Sequence, residues 1–187
     1  NVGFAKLQML SDLSFSNTVY GIGAGIFFVG YVIFEVPSNI LMHKVGAKLW
    51  IARIMISWGA IGALMAFVQT PTQFYILRFL LGVAEAGFIP GVLLYLTYWF
   101  PAAWRGRIIA LFLAAIPMSN IIGGPLSGWI LSSLSGSHGL AGWQWLFIVE
   151  TVPSVLLGFA VLAFLDNRVD NARWLSDEEK QAIKDDL

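Results

Sequence analysis

Residues 74–100 read FYILRFLLGVAEAGFIPGVLLYLTYWF, an almost wholly apolar stretch with one arginine, Arg78, and one glutamate, Glu85. As a helix rising about 1.5 Å per residue, it is long enough to cross a hydrocarbon core of about 30 Å, so both charges fall at lipid depth. Their i, i+7 spacing puts them on one helix face, about 10 Å apart along the axis, with Gly82 between them. A charge at the centre of a spanning helix costs about 2.5 to 3.5 kcal/mol on the lenient scale. Two on one stripe therefore require a protein-lined or watery interior. At that separation the pair cannot touch within its own helix, so each needs a partner on another helix, or water. The structural alternative is an ion pair that locks this helix to its neighbours; the default reading of ionisable residues at this depth is a functional site, and the stripe is the candidate.

The rest of the composition agrees with a membrane protein. The chain has 187 residues, 58% hydrophobic and 12% charged, with 11 basic and 11 acidic residues. That balance leaves no basic surface for nucleic acid. The absence of cysteine excludes disulfides and thiolate metal sites. His43 and His138 both fall in expected loops, too few for a metal centre. The chain begins at Asn1 without the pattern of a cleaved signal, and NVGFAKLQML (1–10) reads as the end of a helix whose earlier part is missing.

Five complete spans are expected, all helical, at about Thr18–Met42, Leu49–Val68, the stretch quoted above, Ile108–Leu131 and Trp143–Leu165. Residues 1–165 form the transmembrane bundle and 166–187 a polar tail. Gly21 and Gly25 in the first complete span have the small-xxx-small spacing of close helix contacts. Gly123, Gly124 and Pro125 are expected to interrupt the fourth span. In the tail, Ser176–Glu179 has the capping-box form that starts a surface helix. Loops with lysine or arginine (HKVGAK, 43–48; PAAWRGR, 101–107; the tail) alternate with loops that lack them (QTPTQ, 69–73; 132–142). Lys6 alone departs from the pattern. The positive-inside rule then places the cationic loops and the tail in the cytoplasm.

Several polar or helix-breaking residues at depth ask for a role. Pro90 cannot donate to the carbonyl of Ala86, so a kink is expected there, eased by Gly87 and Gly91 and serving either gating or packing. Glu35, near the cytoplasmic end of its span, is expected to pair with Lys44 or Arg53. Glu150 has no base in its own span and reads as a hydrogen-bond partner of another helix. Tyr31 and Asn120 at mid-span could bind a ligand or serve as interhelical glue.

Taken in order, NVGFAKLQM, GYVIFEVPSN, HKVGAK, RFLLGVAEAGFIPG, YWFPAAWRGR, GGPLSGWI and GWQWLFIVE resemble the major facilitator superfamily. Within it they resemble the anion:cation symporter family, organic-acid carriers of the tartrate, phthalate and sugar-acid type. The resemblance implies the N-terminal six-helix half of a twelve-helix carrier, with most of helix 1 and the whole C-terminal half outside this chain and the tail opening the central cytoplasmic loop. It further implies that Arg78 holds a substrate carboxylate, Glu85 accepts the proton, and Tyr31 lies in the cavity. An Asp-Arg pair that commonly ends helix 1 in the family would precede Asn1. Two residues depart from the superfamily pattern, His43 where an aspartate is usual and Ala47 where an arginine is usual; Gln144 stands where many relatives have arginine.

The expectation is thus a secondary transporter, not an enzyme, in the bacterial inner membrane. It would carry a small organic anion, with a proton as coupling ion and no cofactor. Arg78, Tyr31 and Asn120 would bind substrate, Glu85 would couple the proton, and Gly82, Pro90, Gly124 and Pro125 would serve gating or packing. Its partners would be the anion, the lipid bilayer and the C-terminal half of the same transporter. A membrane enzyme acting on a lipid-like substrate would need a nucleophile, base or metal cluster at the interface, which the sequence does not supply. A non-transporting scaffold would tolerate apolar residues at both 78 and 85.

Overall fold

The computed structural model describes residues 2–187, and among these the regular elements are all helical. In chain order they are α1 (Val2–Asp12), α2 (Asn17–Val45), α3 (Ala47–Leu64), α4 (Pro71–Glu85), α5 (Phe88–Thr97), α6 (Ala102–Leu113), α7 (Ala115–Ser133), α8 (Gly142–Phe164) and α9 (Asp177–Asp186). Taken across the α4/α5 and α6/α7 junctions, they make five helical segments long and apolar enough to span a membrane. Their boundaries fall within a few residues of the expected ones, apart from the fourth, which begins at Ala102.

Both composite spans pass from one helix to the next where a proline falls in the first turn of the second; only the first of them breaks the helical backbone, because Ala114 keeps helical dihedrals (φ −63°, ψ −17°). Between α4 and α5 the helix stops at Ala86 (ψ 131°) and Gly87 takes a left-handed φ of 84°. Pro90 lies in the first turn of α5, where the N–H it lacks would have no intrahelical partner. The bend expected at Pro90 is therefore made three residues earlier, by Gly87. The fourth span is likewise not interrupted at Gly123–Pro125; α7 runs through them, and the junction is at Ala114, three residues before Pro117.

Unlike a water-soluble protein, this one carries large apolar side chains on its surface as well as in its core. Along α2, Phe28, Val32 and Val36 are 62%, 65% and 66% exposed, an apolar stripe suited to lipid. The opposite face of α2 meets α4. There a Cβ on Gly23 would lie 2.1 Å from the Phe74 ring, one on Gly30 would lie 2.6 Å from the Phe79 carbonyl, and one on Gly82 would lie 2.1 Å from the Phe27 carbonyl. Gly21 and Gly25, the expected contact pair, have nothing within 4 Å. The pair that lets the backbones approach is Gly23 and Gly30, at i, i+7 on the buried side. α3 and α8 interlock similarly, Gly59 against Val155 and Gly158 against Ile56.

The loops gather at two ends. At one, Asn167 Oδ1 accepts the Lys48 N–H (2.9 Å), the Tyr95 hydroxyl donates to the Asp166 carbonyl (2.8 Å), and Trp99 stacks on Trp174 at 6.0 Å. The cationic loops and the tail thus share one end. At the other, the indole of Trp143 donates to Asp12 (2.9 Å) and Gln144 donates to the Ala66 carbonyl (2.7 Å). The Oε1 of Gln144 also accepts the Ala141 N–H, closing the start of α8. The tail helix α9 begins with the expected capping box of Ser176 and Glu179.

A cavity lined by Arg78 and Glu85

Helices α1, α2, α3, α4 and α8 enclose a cavity of about 240 Å³ whose wall includes Phe27, Trp58, Arg78, Leu81, Glu85 and Thr151. Residues 78, 81 and 85 are the α4 face that points into it, as the i, i+7 spacing requires. Gly82 belongs to the adjacent stripe and faces the backbone of α2, where it lets the two helices approach closely.

Arg78 is buried, 7% exposed. Its Nε donates to the Gly23 carbonyl at 3.1 Å and its guanidinium lies over the Phe27 ring, 4.6 Å from the centroid. These contacts fix the plane of the fork. Among the described residues its Nη groups have no hydrogen-bond partner, so they are the donors left to meet a ligand in the cavity. Glu85 is half-buried and is the last residue of α4, immediately before the break at Ala86–Gly87. The two ionisable groups do not form an ion pair with each other; each faces the shared space instead.

The other expected site residues are not brought to this cavity. Tyr31 is half-buried on α2 with its ring 6.1 Å from Phe27, one turn beyond the wall. Asn120 is exposed on α7 and returns its amide to the Ile116 carbonyl of its own helix (3.2 Å). A Cβ on Gly124 would meet nothing within 4 Å, and Pro125 is exposed.

The two further acids at depth, Glu150 and Glu35, differ in their surroundings. Glu150 accepts a 2.6 Å hydrogen bond from Ser127, which is fully buried, and so joins α8 to α7 as expected. Glu35 makes no ion pair with Lys44 or Arg53 among the described residues. Arg53 instead lies over Trp50 (4.0 Å) and reaches the Ala84 carbonyl (3.5 Å), where a cation suits the carbonyl end of α4. Trp58 and Thr151 also line the cavity. Nothing in their own residue types marks them, although Gly59 and Gly62 beside Trp58 are what allow α8 to bring Thr151 close.

The sequence profile of the Major Facilitator Superfamily matches residues 1–185. A Pseudomonas putida protein provisionally named a metabolite transport protein, NicT, is 62% identical over 187 residues, covering all of this chain and 43% of its own. An Agrobacterium vitis protein provisionally named a tartrate transporter is 60% identical, over 96% of this chain and 40% of its own. The chain therefore spans about two fifths of the length of these relatives. Among solved structures, a bacterial homologue of the human lysosomal transporter Spinster, in an inward-facing and occupied conformation, superposes with a TM-score of 0.77. That match covers 95% of this chain and 42% of the other at 18% identity, a likeness of fold. With five membrane-length segments around a cavity and a family profile along nearly its whole length, this chain is an integral multi-pass membrane protein and belongs to the Major Facilitator Superfamily.

Proposed function

We propose that the full-length protein is a proton-coupled symporter of a small organic anion, with Arg78 holding a carboxylate of the substrate and Glu85 carrying the proton. The observation that supports this most is the shared wall: one immobilised guanidinium with free donors and one carboxyl on the same face of α4, around a space enclosed by five helices. A guanidinium fork matches a carboxylate in two parallel hydrogen bonds, which explains an arginine at a depth where charge is costly. A carboxyl that alternately meets a dry cavity and water can take up and release a proton. The tartrate-transporter name of one relative supports a carboxylate substrate.

Transport would proceed by rocking of this bundle against the second half of the protein around the midplane site. Tyr31 and Asn120 would then act in a state where those helices face the completed cavity. The cationic loops and tail would lie in the cytoplasm, with the protein in the bacterial inner membrane. The test is uptake of sugar acids, dicarboxylates and aromatic acids by the full-length protein in proteoliposomes, with and without a proton gradient. Gradient-dependent accumulation of at least one carboxylate class is expected; accumulation driven by sodium alone, or of neutral solutes only, contradicts the proposal.

A further inference from the structure

At the cationic end, away from the Arg78 cavity, a second cavity of about 700 Å³ is lined by Lys48, Asp166, Asn171, Arg173 and Trp174 together with Ala163 and Phe164. An apolar cleft of about 240 Å³, walled by Tyr95, Trp99, Phe100 and Leu165, adjoins it and shares Phe164, Asp166 and Trp174. A polar chamber beside an apolar one suits an amphiphile. Its level in the membrane is set by α8, which ends at Phe164, so the cavity lies where the apolar span gives way to the polar tail. Phe164 and Trp174 are 82% and 67% exposed there, as aromatic residues at headgroup level are.

The outer face of α8 leads into the same place. Val152, Leu156, Phe159 and Ala163 recur at i, i+4, i+7 and i+11, all exposed, and the stripe ends at Ala163 on the cavity wall. On a spanning helix such a stripe lies against acyl chains. The charge balance favours an anion: among the described residues neither Lys48 nor Arg173 is ion-paired, against the single carboxylate of Asp166. Asn167 holds the start of α3 through the Lys48 N–H, which keeps the Lys48 side chain beside the tail.

We propose that this cavity binds an anionic phospholipid. The phosphodiester sits between Lys48 and Arg173, headgroup hydroxyls donate to Asp166 and meet the Asn171 amide, and the acyl chains run along the α8 stripe. The site rests on the membrane placement of the chain, and its fate is independent of the substrate proposed for the Arg78 cavity.

The test uses full-length protein in nanodiscs containing brominated phosphatidylglycerol or brominated phosphatidylcholine. The Trp174 contribution to fluorescence is taken as the difference from a Trp174→Phe variant. Phosphatidylglycerol should quench Trp174 at about tenfold lower mole fraction than phosphatidylcholine, in keeping with the attraction of paired basic residues for anionic lipid. Lys48→Gln with Arg173→Gln should abolish that preference, whereas Lys48→Arg with Arg173→Lys should keep it. Equal quenching by both lipids, or a preference that survives the double glutamine variant, overturns the proposal. So does absence of quenching by either lipid, which means that protein covers the cavity. Displacement of the lipid by millimolar inorganic phosphate would mark a site for free anions and overturn it as well.

Discussion

The Ser38 hydroxyl on α2 donates a 2.6 Å hydrogen bond to the backbone carbonyl of Ala86, the residue at which the organising span breaks. In an uninterrupted helix that carbonyl would take the N–H of residue 90, which is proline. The break turns it towards α2 instead, and Ser38 replaces the missing donor while itself accepting from the Trp50 indole (3.0 Å). Ser38→Ala leaves a buried carbonyl unsatisfied and should cost about 1 to 3 kcal/mol. A lowered thermal midpoint of the detergent-solubilised full-length protein is the expected readout; an unchanged midpoint would mean that the break is held by other contacts.

Glycine positions on α2 and α4 should separate cleanly by the space around them. Gly82→Ala drives a methyl group into the Phe27 carbonyl and should strongly reduce the yield of folded protein. Gly25→Ala meets nothing and removes a helix-interior glycine, so it should be neutral or stabilising by up to about 1 kcal/mol. Expression and thermal stability of the two variants measure this directly, and equal behaviour would contradict the α2–α4 packing.

Much of this was legible in the sequence, and the parts that were not share a cause. Hydropathy located the spans, and a charge at lipid depth marked Arg78 and Glu85, because both signals depend on the residue itself and its membrane depth. The choice between Gly21/Gly25 and Gly23/Gly30 depends instead on which face of α2 meets α4, and both pairs satisfy a small-residue spacing. Proline is the conspicuous residue and points to a kink at Pro90, whereas the chain bends at Gly87, the nearest position that accepts a positive φ. Trp58 and Thr151 enter the cavity wall only through packing of α3 on α8. Polarity at mid-span marks Asn120, but that property does not say which way a side chain points.

The cationic loops and tail share one end of the bundle, which the positive-inside rule would place in the cytoplasm in the proposed orientation. In the intact protein, a cysteine at Ser137 should react with an impermeant thiol reagent from outside, and one at Ala102 only after permeabilisation. The reverse pattern would invert the orientation.

For Arg78, the Nε bond to Gly23 and the stacking on Phe27 both depend on a planar guanidinium. Lysine keeps the charge but has a single ammonium, which cannot hold the Gly23 carbonyl and the Phe27 face while presenting two parallel donors to a carboxylate. Arg78→Lys should therefore weaken substrate binding by at least tenfold, from the loss of one charge-assisted hydrogen bond or more, with folded protein retained. Unchanged uptake kinetics would reduce Arg78 to a structural role.

The most direct measurement concerns Glu85. Glu85→Gln keeps the size and hydrogen-bonding shape of the protonated acid but cannot release a proton. In proteoliposomes of the full-length protein, this variant should lose accumulation driven by a proton gradient while still exchanging labelled for unlabelled substrate across the membrane. Gradient-driven accumulation that persists in Glu85→Gln, or exchange that disappears together with it, would contradict Glu85 as the proton carrier.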